Sequence, residues 1–174
     1  MSFEERFMEM LERVGYDLAQ AQRQVSFISP ASVTVVEMEF FDPILLELFA
    51  REFVFSEQRE HEIHRTIWEL LVNARGACYE DPRKFVRLDS YVGERGFVSR
   101  VADDGRGFNA EPVIAQRRGQ LHLYNRAKVV ARAQGRGEGC NDGGVGMYSL
   151  LTFADDFQYS LKGNEVAVRF DLGK

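Results

Sequence analysis

At 174 residues the chain has the size of one ordinary domain, and 45% hydrophobic with 28% charged residues and only 4 prolines is a globular composition rather than a disordered one. A formal charge of -5 argues against a general nucleic-acid or membrane-surface binder, and no apolar run approaches the roughly 20 residues of a membrane span. The N-terminus MSFEERFMEM carries acids where a secretory signal would be basic and then apolar, and Cys78 and Cys140 are too few for a disulfide framework, so a cytoplasmic chain with free thiols is expected.

Residues 2–25 repeat apolar groups at Phe3, Phe7, Met10, Leu11, Val14, Leu18, Ala21 and Val25, one helical face. Gly15 should weaken that helix and Ser29-Pro30 should break it. SVTVVEMEFF (32–41) then reads as a strand, and Asp42-Pro43 starts a helix over ILLELFAREF (44–53). A longer helical pattern runs from Glu57 to Tyr79 through Ile63, Ile67, Leu70, Leu71 and Ala74, with Trp68 and Cys78 read as core. Phe85–Val92 and Phe97–Ala102 form a hairpin across Gly93-Glu94-Arg95-Gly96. QLHLYNRAKVVARA (120–133) reads as helix, Met147–Ala154 as another, and DFQYSL with EVAVRFDL as a second hairpin across Lys162-Gly163-Asn164. The expected class is α+β: a two-layer sandwich of a mixed, roughly five-stranded sheet with helices on one face, plus an extra N-terminal helix.

Three short patterns carry chemistry. Glu69 and Asn73 are four apart, so a helix brings both to one face, where a carboxylate can take a proton and an amide oxygen can hold magnesium. By itself the pair also reads as a solvated helix face. Asp103-Asp104-Gly105-Arg106-Gly107 follows a strand: Asp103 can accept from an exocyclic amino group, and Gly105 and Gly107 let backbone approach a ligand. A tight surface turn is the other reading. Gly144, Val145 and Gly146 open an apolar helix, whose free amides and positive end suit phosphate; a linker is the alternative, and no Walker-type Gly-Lys-Ser/Thr follows. His61 and His64 are three apart and miss the zinc-protease spacing. Between Ile114 and Arg136 stand Arg117, Arg118, Arg126, Lys128, Arg132 and Arg136 without an acid, either a solvated surface or the source of a phosphate-binding arginine.

In order and context, ELLVNA, VADDGRGF and GGVGMYSLLTFADDF resemble the ATP-binding domain of the GHKL superfamily, and within it the stand-alone serine kinases that act as anti-sigma factors. The resemblance spans about Ser32 to Leu172. It implies Glu69 as catalytic base, Asn73 as magnesium ligand, Asp103 as the reader of adenine, Gly105 and Gly107 as its wall, and Gly144, Val145 and Gly146 under the phosphates. It also implies a lid over about 108–143. One departure is Ala77, where those kinases often carry the histidine of NAxxHxY; a long lid is the other.

The expectation is thus an N-terminal amphipathic helix (1–27) followed by a histidine-kinase-like domain (28–174) binding ATP or ADP with Mg2+. It would be a serine/threonine kinase of the partner-switching type, binding a sigma factor or phosphorylating a small antagonist protein. The alternatives are a nucleotide-gated binding module and a simple ATPase. No nucleic acid or membrane is expected as a partner, and the N-terminal stripe would pack on the chain's own sheet or form a homodimer seam.

Overall fold

A computed structural model describes residues 1–18, 24–30, 56–78, 81, 83–121 and 145–171. The strand expected at 32–41, the helix expected at 44–53, Gly144 and the helix expected over 120–133, beyond Leu121, lie outside the described residues.

The first helix, α1 (Phe3–Val14), starts in a capping box: Ser2 Oγ accepts from the Glu5 amide at 3.2 Å, and the Ser2 amide donates to the Glu5 carboxylate at 2.6 Å. It ends at Gly15, whose φ of 70° is left-handed. The Gly15 amide donates to Glu12 O and the Tyr16 amide to Leu11 O, both at 3.0 Å, closing a Schellman motif. This corrects the helix expected through residue 25. The apolar spacing does continue, but Gly15 terminates the helix rather than weakening it. Leu18 is left 58% exposed, and Gln24–Pro30 is a strand, β1, running across the expected boundary at residues 27 and 28.

The other elements are α2 (Glu57–Cys78), β2 (Phe85–Val92), β3 (Gly96–Asp103), α3 (Ala110–Gln120), α4 (Val145–Phe153), β4 (Asp156–Tyr159) and β5 (Glu165–Asp171). The strands form a five-stranded sheet in the order β1-β2-β3-β5-β4. Every pairing among them is antiparallel, so the parallel component of a mixed sheet has no counterpart among the described residues.

Strand alternation sends successive side chains to opposite faces. One face packs Val86, Leu88, Phe97, Val101, Val166, Val168 and Phe170 against Ile63, Ile67, Leu70 and Leu71 of α2 and Leu150 of α4. Phe97 and Phe170 stack there with centroids 5.0 Å apart. The other face offers Val98 and Ala167 to Phe7, Met10, Leu11 and Val14 of α1. The extra helix therefore covers the face that the two-layer sandwich leaves open.

Polar contacts at both ends fix α1 in place, Arg6 pairing with Asp156 of β4 at 2.5 Å. Arg100 lies over the rings of Phe3 and Phe7, at 5.2 and 5.0 Å, and its guanidinium donates to Glu165 at 2.6 Å and Glu4 at 2.9 Å. At the helix C-terminus the turn between β2 and β3 satisfies the orphan carbonyls. The Arg95 amide donates to Val14 O at 2.8 Å, and its guanidinium donates to Arg13 O at 2.9 Å and Glu12 O at 2.8 Å. Gly93 permits that approach, because a Cβ there would stand 2.2 Å from Val14 O.

Candidate functional site

Glu69 and Asn73 sit one turn apart on α2, as their spacing requires. Near the start of α2, Arg59 donates to Phe153 O at 2.7 Å and to Asp155 at 2.6 Å, anchoring the end of α4. At the start of α4, a Cβ on Gly146 would stand 2.4 Å from Asn73 Nδ2 and 3.3 Å from Glu69 Cβ. The two helices therefore run antiparallel, and the N-terminus of α4 arrives beside Glu69 and Asn73. A side chain there would push the Asn73 amide aside. The amides of the first turn of α4 and its positive dipole end are thus brought to the two polar side chains.

The Glu69 carboxylate accepts a hydrogen bond from the guanidinium of Arg65, one turn earlier on the same helix. Burial pushes the Glu69 carboxyl above the usual carboxylate range, and the Arg65 charge opposes that rise.

Asp103 closes β3 and is half-buried. One carboxylate oxygen accepts from the Gly105 amide at 2.7 Å, while the Asp103 backbone exchanges bonds with Asn164: Asn164 Nδ2 donates to Asp103 O at 2.6 Å, and the Asp103 amide donates to Asn164 O at 2.9 Å. Burial raises the Asp103 carboxyl, and the Gly105 amide and then Lys162 counteract it. A Cβ on Gly105 would meet Asp103 Oδ1 at 2.5 Å and Ala77 Cβ at 2.9 Å. Gly107, at φ 72°, lies against the turn between β4 and β5.

A cavity of about 630 Å³ lies between α2, the loop after β3, α3 and the β5–β4 edge of the sheet. Its lining includes Asn73, Ala77, Asp103, Gly107, Arg117 and Tyr159. Asn73, Asp103 and Gly107 of the expected site residues thus face one space, with Gly105 behind Asp103 and Gly146 against Asn73. Glu69 is beside the cavity rather than in its lining. Gly144 and the Val145 side chain lie outside the described residues.

Several contributors escape sequence reading. Asn164 and Gly163 read only as a hairpin turn, yet they hold Asp103 and the Gly107 loop. The one available signal is the length of the turn: Lys162-Gly163-Asn164 is longer than the tightest hairpins need. The helix α3 was not expected at all. It is docked to α4 through Tyr148, whose hydroxyl donates to Gln120 at 3.0 Å and accepts from Arg117 at 3.1 Å. Arg117, one of the six basic residues, also lies over the Tyr148 ring at 5.2 Å.

An open cavity bordered by a half-buried carboxylate, with a helix N-terminus beside Asn73, suits a nucleotide. The histidine kinase-like ATPase domain family matches residues 44–170, and the chain belongs to that family. Membership makes it an ATP-binding domain; α1 and β1 precede the matched region. No curated protein matches the chain. Among the described residues no helix is long and apolar enough to cross a membrane, and no cluster of three or more His, Cys, Asp or Glu is placed to hold a metal.

Proposed function

We propose that this chain is an ATP-dependent serine/threonine protein kinase of the partner-switching type, acting in the cytoplasm. It would bind a sigma factor or another regulator and phosphorylate a small antagonist protein. The observation that carries the reading is Gly146, which brings the phosphate-suited end of α4 against both Glu69 and Asn73. Base, metal ligand and phosphate cradle then share one corner, with Asp103 across the cavity for adenine.

Residues 28–174 are the nucleotide-binding unit in this reading, with α1 as an accessory helix and the lid over about 108–143. Magnesium usually takes one or two protein oxygens and fills its remaining positions with phosphate and water. The Asn73 amide oxygen beside a helix N-terminus fits that demand. The ion would screen the phosphate charge. Glu69 takes the proton of the acceptor hydroxyl as its oxygen forms the new bond to the γ-phosphorus; the bond to the β-γ bridging oxygen breaks and ADP leaves.

One observation favours a second reading. Arg65 ties up the Glu69 carboxylate beside the cavity, which suits a nucleotide-gated binding module that does no chemistry. Glu69→Gln separates the two. With labelled ATP and an antagonist protein as acceptor, the kinase reading expects transfer to fall by about 10²–10⁴-fold with nucleotide affinity changed only a few-fold. Wild type that binds nucleotide but transfers and hydrolyses no faster than Glu69→Gln is the module.

A further inference from the structure

β4 ends at Tyr159, which pairs with Val166 of β5. Val166 belongs to the face that packs on α2, so the pairing sends the Tyr159 ring to the same side, where both residues line the cavity. The ring is held by its neighbours. It meets Phe108 edge-to-face with centroids 5.3 Å apart, and Phe157 in the same manner at 6.5 Å. Two rings from different segments thus fix the phenol without using its hydroxyl, which makes no hydrogen bond among the described residues. Burial, and then the nearby Asp103 charge, push the phenol well above its ordinary pKa, so it keeps its proton at any physiological pH.

Two hydrogen-bonding groups of opposite kind therefore border the same end of the cavity. Asp103 only accepts when ionised, and the neutral Tyr159 hydroxyl always has a proton to donate. We infer that Tyr159 is a second base-reading residue, donating to N1 of adenine while Asp103 accepts from the adjacent 6-amino group. This rests on the nucleotide reading of the cavity and adds its base selectivity. Guanine turns a carbonyl oxygen toward the carboxylate on that edge, so the Asp103 contact would fail, and its N1–H could be met only by the hydroxyl turning to accept.

Titration calorimetry of wild type and Tyr159→Phe with ADP, GDP and purine riboside diphosphate tests this. The variant keeps the ring and its packing and loses only the hydroxyl. A neutral hydrogen bond typically accounts for about three- to tenfold in affinity, so ADP should weaken by that factor in Tyr159→Phe. Purine riboside diphosphate lacks the 6-amino group but keeps the ring nitrogens, and should weaken by the same factor. Wild type should prefer ADP to GDP through Asp103, and the melting temperature of the free protein should not move. Equal ADP affinity in both proteins overturns the inference while leaving the nucleotide site intact. A fall in ADP affinity that comes with a lowered melting temperature also overturns it, since the residue would then matter only for packing. Wild type that binds no adenine nucleotide removes the site itself, and this inference with it.

Discussion

Gly107 and Gly163 interlock across the rim of the cavity. A Cβ on Gly107 would stand 2.0 Å from Lys162 O, and one on Gly163 would stand 1.9 Å from Phe108 O. Both are left-handed, at φ 72° and 73°. The loop after β3 and the turn between β4 and β5 thus meet backbone to backbone, which places Asp103, Phe108 and Asn164 around one opening.

Gly107→Ala should therefore be strongly destabilising. It combines the left-handed backbone penalty with a collision against a carbonyl that the hairpin holds in place. A loss of about 2–4 kcal/mol, measured by urea denaturation, is expected. An unchanged denaturation midpoint would mean that the two loops separate freely.

Asp103→Asn should weaken ATP and ADP by roughly ten- to hundred-fold, the usual loss for a charged hydrogen bond. Calorimetry on the two proteins measures it. Wild type that binds no adenine nucleotide at millimolar concentration would contradict the assignment of Asp103 as the reader.

The same substitution has a pH-dependent effect on stability of opposite sign. Burial raises the Asp103 carboxyl, so the folded chain holds that proton more tightly than the unfolded one. Stability linked to this group is greatest below the ordinary carboxylate pKa and is lost as pH rises through the raised folded value. Asparagine never ionises and can still accept from the Gly105 amide. Asp103→Asn should melt about 1–3 °C higher than wild type near pH 7, with the gain shrinking toward about pH 3. Melting curves at both pH values check the trend; a variant that melts lower near pH 7 would show the carboxylate to be a net stabiliser.

Leu11→Ala tests α1. Leu11 is fully buried against the far face of the sheet. Its truncation should cost about 2–5 kcal/mol in urea denaturation and leave ADP affinity unchanged, because the sheet separates it from the cavity. A negligible loss of stability would mean that α1 is only loosely docked.

Regular elements and polar spacing were legible in the sequence, and interlocking was not. The apolar period of α2, the two hairpins and the Glu69–Asn73 pair follow from local repetition. Gly15 shows the limit of that method. A periodic pattern runs through it unbroken, and only its left-handed conformation and the Gly93–Arg95 turn, far away in sequence, make it an end rather than an interior residue. Tyr159 was missed for a related reason. As part of DFQYSL it is one more strand aromatic, and its place in the cavity comes from pairing with Val166. The Arg65 contact with Glu69 was within reach, since residues four apart on a helix are neighbours.

The cap that Arg95 places on α1 also orders events in time. Its guanidinium bond to Glu12 spans 83 positions of sequence, so beyond the local Schellman turn the cap is supplied from far away in the chain. During synthesis α1 emerges before β2, β3 and their turn, so its cap from Arg95 and its place on the sheet wait for them. Docking α1 is then a step that follows the hairpin and seals the sheet.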